Sequence, residues 1–406
     1  MGRRVGAARA LLALAVAAGL PLATAAPARA DEVRDRQSAM LRTLGMETAW
    51  QTTKGSGVTV AVVDSGVDPR QADLRGSVIS GPNMLAEVDG ATKPARLHGT
   101  NMASLIAGHG HGPGGGDGII GMAPQARILA VRAIGEREDA SYGAYRSSDK
   151  AEGAVARGIR YAADHGADVI NLSLGKYEEE PAERAAIGYA IGKGVVVVSA
   201  VGNDGDRGRR LDSDGFAPYS YPAAYPGVIA VAATEPGHRR AMFSNRNYSV
   251  LLSAPGAGLP AGGPDGKYYM SDGTSDSSAL VSGIAALIRA RHPKLPPALV
   301  AQALIAGTRY GPAGTYDPEV GFGEVNAPRA LAAADGLTSS GTAGGGKPAA
   351  QRFGSAPGPV DVIDRPVWVR PLIAVVLVLG IGGAAAAVTI AVVFARRHPR
   401  PTARVP

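Results

Sequence analysis

The 406-residue chain contains no cysteine. No disulfide can staple it, so a folded body has to rest on a large apolar core. The hydrophobic share of 45% supplies one and sets the chain apart from disordered sequences. Aromatic residues make up only 5%, with no aromatic-rich or repeated segment, which argues against a wall-binding module. Excess positive charge is missing from the middle of the chain as well. Of the net +7, Arg3, Arg4, Arg9 and Arg29 account for four charges, and Arg396, Arg397, Arg400 and Arg404 for four more. Neither end carries an acid, so residues 31–370 are left at −1. A polyanion-binding surface has no support from bulk charge, and no nucleic-acid partner is expected.

The two basic ends have other readings. Residues 1–30 run from Arg3 and Arg4 through an apolar stretch to A-R-A, the pattern of a secretory leader cleaved after Ala30. Near the other end LIAVVLVLGIGGAAAAVTIAVVF, residues 372–394, holds no charge. At about 1.5 Å per residue it is long enough to cross a hydrocarbon core of about 30 Å. After an exported body it would stop transfer, leaving the four C-terminal arginines in the cytoplasm. The expected organisation is leader 1–30, catalytic-size body 31–335, Gly/Pro/Ala-rich linker 336–370, membrane helix 371–395 and basic cytoplasmic tail 396–406. As a flexible coil the linker would span about 30 to 35 Å.

Within the body, β-branched runs alternate with helical patterns. VTVAVVD (58–64), ARILAVRAI (126–134), ADVINLSLG (167–175), GVVVVSAVG (194–202) and GVIAVAAT (227–234) read as buried strands. Runs that are apolar throughout suit a sheet covered on both faces, and stretches such as DKAEGAVARGIRYAADHG supply parallel crossovers. The expected fold class is α/β, a doubly wound, mainly parallel sheet with helices on both faces. Functional groups in such a fold collect where strands end.

Four strand or helix ends carry chemistry. VTVAVVDSGVD places Asp64 at the exit of the first strand, where a carboxylate is equally at home as a plain turn cap. LHGTNMASLIAG places His98 at the start of a buried helix. GVVVVSAVGND ends a strand at Asn203, which on its own is an ordinary turn asparagine. In SDGTSDSSALVSG, residues 271–283, five serines compete. Ser275 falls at the first residues of an almost wholly apolar helix, where free N–H groups favour developing negative charge. Ser271 precedes the turn, and Ser277, Ser278 and Ser282 are read as one or more turns inside. Nucleophilic serine chemistry needs a base, a carboxylate that orients it and an oxyanion donor. His98, Asp64 and Asn203 match those needs, with the chain order Asp, His, Ser as one of the known triad orders. His109 and His111 in GHGHGPGGGDG are read as loop residues without a metal, and no cofactor is expected.

These motifs resemble those of subtilisin-type serine proteases over about residues 40–333: VAVVDSGVD for the aspartate, HGTNMASLIAG for the histidine and GTSDSSALVSG for the serine. The resemblance implies a serine endopeptidase acting on proteins or peptides, with substrate backbone pairing along Ser173, Leu174 and Gly175. Leader, body, linker and anchor together are similar to mycosins, which implies a cell-membrane location, an extracytoplasmic catalytic body and a type VII secretion complex as partner. The alternative is a catalytically silent structural component of such a complex, which would not need the four residues intact. Departures are present. Asp276-Ser277-Ser278-Ala279-Leu280 stands where the family has two small residues and a proline, Asn101 replaces a common histidine, and the cysteines of many mycosins are absent. An acid beside the serine is tolerable at a helix N-terminus and is a candidate to tune it. The 33 positions from Asp31 to Asp64 leave no room for a folding-assistant propeptide, so maturation without one is expected.

Overall fold

The computed structural model describes residues 30–312, 315–342 and 369–397. The leader, the central part of the linker and the end of the basic tail lie outside the described residues. Seven strands form the main sheet: β1 (Thr59–Asp64), β2 (Val78–Asn83), β3 (Arg127–Arg132), β4 (Val169–Leu172), β5 (Val196–Ala200), β6 (Ile229–Thr234) and β7 (Leu252–Pro255). Their order is β2-β3-β1-β4-β5-β6-β7, and every pairing is parallel. This is a parallel α/β architecture, as expected from the sequence.

Strand periodicity divides the apolar residues between two cores. Val60 and Val62 point to one face, where they meet Met102, Leu105 and Ile106 of the His98 helix (Leu97–Ala107) and Leu280, Ile284 and Leu287 of the serine helix (Thr274–Arg291). Ala61 and Val63 point to the other, against Ile159 and Ala162 of helix Ala154–Asp164 and Ile187 and Ala190 of helix Pro181–Gly192. A sheet covered on both faces explains the unbroken apolar runs. Chain direction around the sheet reverses beside β1, whose neighbours are β3 and β4. The crevice at the carboxyl end of β1 is therefore the topological switch point.

Two features differ from the sequence reading. His109 and His111, expected in a loop, form a short strand (His109–His111) antiparallel to Asp117–Ile120. His111 donates from Nδ1 to the buried Asp73 at 2.6 Å, which holds it in place. The last helix of the body, Ala327–Thr342, runs past residue 335. Residues Gly345–Pro406 form a second unit. Its helix Val369–Arg397 contains a span, Val375–Val393, with mean hydropathy 2.5. Among the described residues it is the one helix long and apolar enough to cross a membrane.

Candidate active site

Asp64 ends β1 fully buried, and its Oδ1 accepts from the Ser65 amide at 2.6 Å. His98 donates from Nδ1 to both of its oxygens, at 2.8 and 3.0 Å. A carboxylate on Nδ1 fixes the tautomer and leaves Nε2 as the basic nitrogen. The approach depends on two glycines. Gly66 has φ +95°, and a Cβ at Gly99 would lie 2.2 Å from the Gly66 carbonyl oxygen. Gly99 also donates its amide to Ser65 Oγ at 3.0 Å, pinning the start of the His98 helix over the aspartate turn.

That helix has no cap of its own, because Arg96 precedes it in the left-handed region (φ 61°) without a side-chain hydrogen bond to the helix. The free amides of Leu97 and His98 donate to Glu136 instead, at 2.6 and 2.8 Å. The Glu136 loop is tied down by a buried ion network in which Arg132 donates to Asp89 and Asp139 and Asp139 accepts the Glu136 amide. Sequence reasoning missed Glu136. The acidic run after β3 (GEREDAS), at a strand end beside β1, was the available signal.

The serine helix begins at Thr274, with Ser275 half-buried. Ser275 Oγ donates to the Ser173 carbonyl at 3.3 Å, and no hydrogen bond joins it to His98 in this rotamer. The structure therefore brings Asp64 and His98 together and leaves the serine hydroxyl turned toward Ser173. Its serine neighbours are committed elsewhere. Ser277 donates to the carbonyls of Ala254 and Pro255, Ser278 to that of Ser275, and Ser282 to that of Ser278; all three are fully buried. Ser277 is the fourth residue of the helix, so it lies within the first turn, nearer the start than expected.

Asn203 is exposed, and its Oδ1 accepts from both the amide and the hydroxyl of Thr274, at 2.9 and 2.8 Å. The carbonyl side of the amide is thus occupied, while Nδ2 lies 3.4 Å from where a Cβ would stand on Gly273, two residues before Ser275. Ser173, Leu174 and Gly175 follow β4 directly. Leu174 and Gly175 make no backbone pairing among the described residues, whereas Lys176 pairs with Tyr221. Together with Asn203, Ser220 and Ser275 they line a cavity of about 230 Å³.

The electrostatics are dominated by carboxylates. Burial disfavours the charged imidazole, but Asp64, Asp276 and Glu136 outweigh it and hold His98 up at about 9. Its side chain is nonetheless 35% exposed, which leaves one edge open to the cleft. Burial pushes Glu136 above the usual carboxylate range, against the two amides it accepts. No cluster of three or more His, Cys, Asp or Glu side chains suited to a metal occurs among the described residues.

The subtilase (peptidase S8) family model matches residues 55–323. Thermitase of Thermoactinomyces vulgaris is 37% identical over 240 residues, 59% of this chain and 77% of that protein. The crystal structure of MycP1 from Mycobacterium smegmatis superposes with a TM-score of 0.59 at 31% identity, covering 72% of this chain and 83% of that one. The MycP3 protease from the type VII (ESX-3) secretion system superposes at 0.58 with 29% identity, over 72% of this chain and 87% of that one.

Proposed function

The chain belongs to the subtilase family and is a subtilisin-type serine endopeptidase, and from that premise we propose that Asp64, His98 and Ser275 are its catalytic residues, with Asn203 as oxyanion donor. The Asp64–His98 contact at 2.8 Å, beside a half-buried serine at a helix start, carries the reading. A rotation about the Cα–Cβ bond of Ser275 would release its hydroxyl from Ser173 toward Nε2. Oγ then attacks the scissile carbonyl carbon while Nε2 takes its proton, and Asp64 stabilises the imidazolium that forms. The carbonyl oxygen becomes an oxyanion that accepts from Asn203 Nδ2 and the Ser275 amide. Collapse breaks the C–N bond, His98 returns the proton to the leaving amine, and water repeats the sequence on the acyl-enzyme. Substrate backbone would pair along Leu174 and Gly175, with one side chain in the adjoining cavity.

The leader-like start, the charge-free span and the arginines beyond it support an extracytoplasmic body on a single membrane anchor with its C-terminus in the cytoplasm. The domain limits set out from the sequence belong to the same proposal, with the body extended to residue 342. Likeness to MycP1 and to MycP3, a protease from a type VII secretion system, supports a role beside such a complex. Full-length protein in detergent should hydrolyse an unfolded protein such as casein. Ser275→Ala should abolish turnover with an unchanged melting temperature, since it deletes one hydroxyl at the cleft and no core volume. A Ser275→Ala protein that still cleaves casein would refute the assignment.

A further inference from the structure

Asp276 follows Ser275 in the first turn of the serine helix and is only 1% exposed. A carboxylate at such depth normally accepts several hydrogen bonds. Here Oδ2 accepts from the Ser271 hydroxyl at 2.8 Å, the residue's own amide adds local support, and Oδ1 has no partner. The cost of holding this acid in the core is therefore largely uncompensated by local donors, although an apolar side chain would fill the position. What the carboxylate does have is an electrostatic partner across the site, the imidazole of His98. The charges of three acids favour the protonated ring: Asp64 at the end of β1, which also touches it, Asp276 in the serine helix and Glu136 in the loop after β3. Asp276 is faced in turn by His98, by Asp272 from the turn before the helix and by the Ser271 hydroxyl, with the neutral Asn203 amide bound to Thr274 at the helix start.

We propose that Asp276 is a positioning residue that acts through His98: the field of its buried carboxylate holds the proton on the imidazole and so sets the pH above which His98 is a free base for Ser275. The proposal rests on reading His98 and Ser275 as catalytic. Burial, together with Asp272, pushes Asp276 up to about 7, against the pull of Ser271 and His98, while His98 is held at about 9. Between those values the pair keeps one proton, resident on the imidazole, and the two groups titrate as a coupled system. Activity requires the neutral imidazole, so a carboxylate that favours the imidazolium moves the acid limb of the pH profile upward. Its removal moves the limb downward.

The test is kcat/KM against pH, from 5 to 10, for full-length protein in detergent with one peptide substrate, alongside the rate of fluorophosphonate labelling. Asp276→Asn, which keeps the side-chain size, should lower the acid limb by about one pH unit. Asp276→Ala removes the carboxylate outright and should move the limb in the same direction. This variant decides the matter if Asp276→Asn does not fold. Active variants with an unmoved limb would overturn the proposal and make Asp276 a packing residue. A wild-type protein that neither hydrolyses nor labels would instead overturn the catalytic reading beneath it.

Discussion

At the scale of single residues, Asn203 has one way to contribute. With Oδ1 held by the amide and hydroxyl of Thr274, its remaining polar edge is the Nδ2 donor, and that edge lies by the backbone leading into Ser275. A donor fixed in this way needs no reorganisation when charge develops on the substrate oxygen. Asn203→Ala should therefore lower kcat by about 100- to 1000-fold with little change in KM. Steady-state kinetics that find turnover unchanged would reduce Asn203 to a residue that closes a turn. Ser275 could be singled out in the sequence because it opens a helix that is apolar almost all round. The structure adds that Ser277, Ser278 and Ser282 already donate to backbone carbonyls inside the core.

At the scale of elements, the His98 helix is held by a cap borrowed from another loop. Glu136 accepts two of the amides that an isolated helix start would leave open. In Glu136→Gln one acceptor becomes an N–H that faces an N–H, so the end of the helix loosens and the ring above Asp64 with it. The expected loss is about 1 kcal/mol of stability, about 2 °C in melting temperature for a body of this size, with a fall in kcat at nearly constant KM. Unaltered melting and turnover would show that the contact does not hold the helix. This cap was not legible in the sequence, because it joins residues 38 and 39 positions apart through the path of a loop. Five of the seven main strands were legible, being buried on both faces and hence apolar throughout. The two that were missed, VISGPN and LSAP, are β2 and β7, the edges of the sheet, where glycine, proline and polar residues are tolerated. Asp276 was visible as an oddity beside the serine, but its burial and its unpaired oxygen follow only from the packing around it.

At the scale of the whole molecule, charge and hydropathy are sorted by segment. The part of the chain between its ends is nearly neutral, the positive charge is confined to those ends, and one helix has the length and composition of a membrane span. On the proposed arrangement the catalytic body faces outward and meets proteins at the membrane surface. A charged, membrane-impermeant fluorophosphonate reports on both the nucleophile and the side it faces. Applied to intact spheroplasts that express the full chain, and followed by peptide mapping, it should label Ser275 without permeabilisation. Ser275→Ala should abolish that label. Label on Ser277 or Ser278, label that appears only after the membrane is opened, or none on the folded protein would contradict a membrane-held peptidase acting through Ser275.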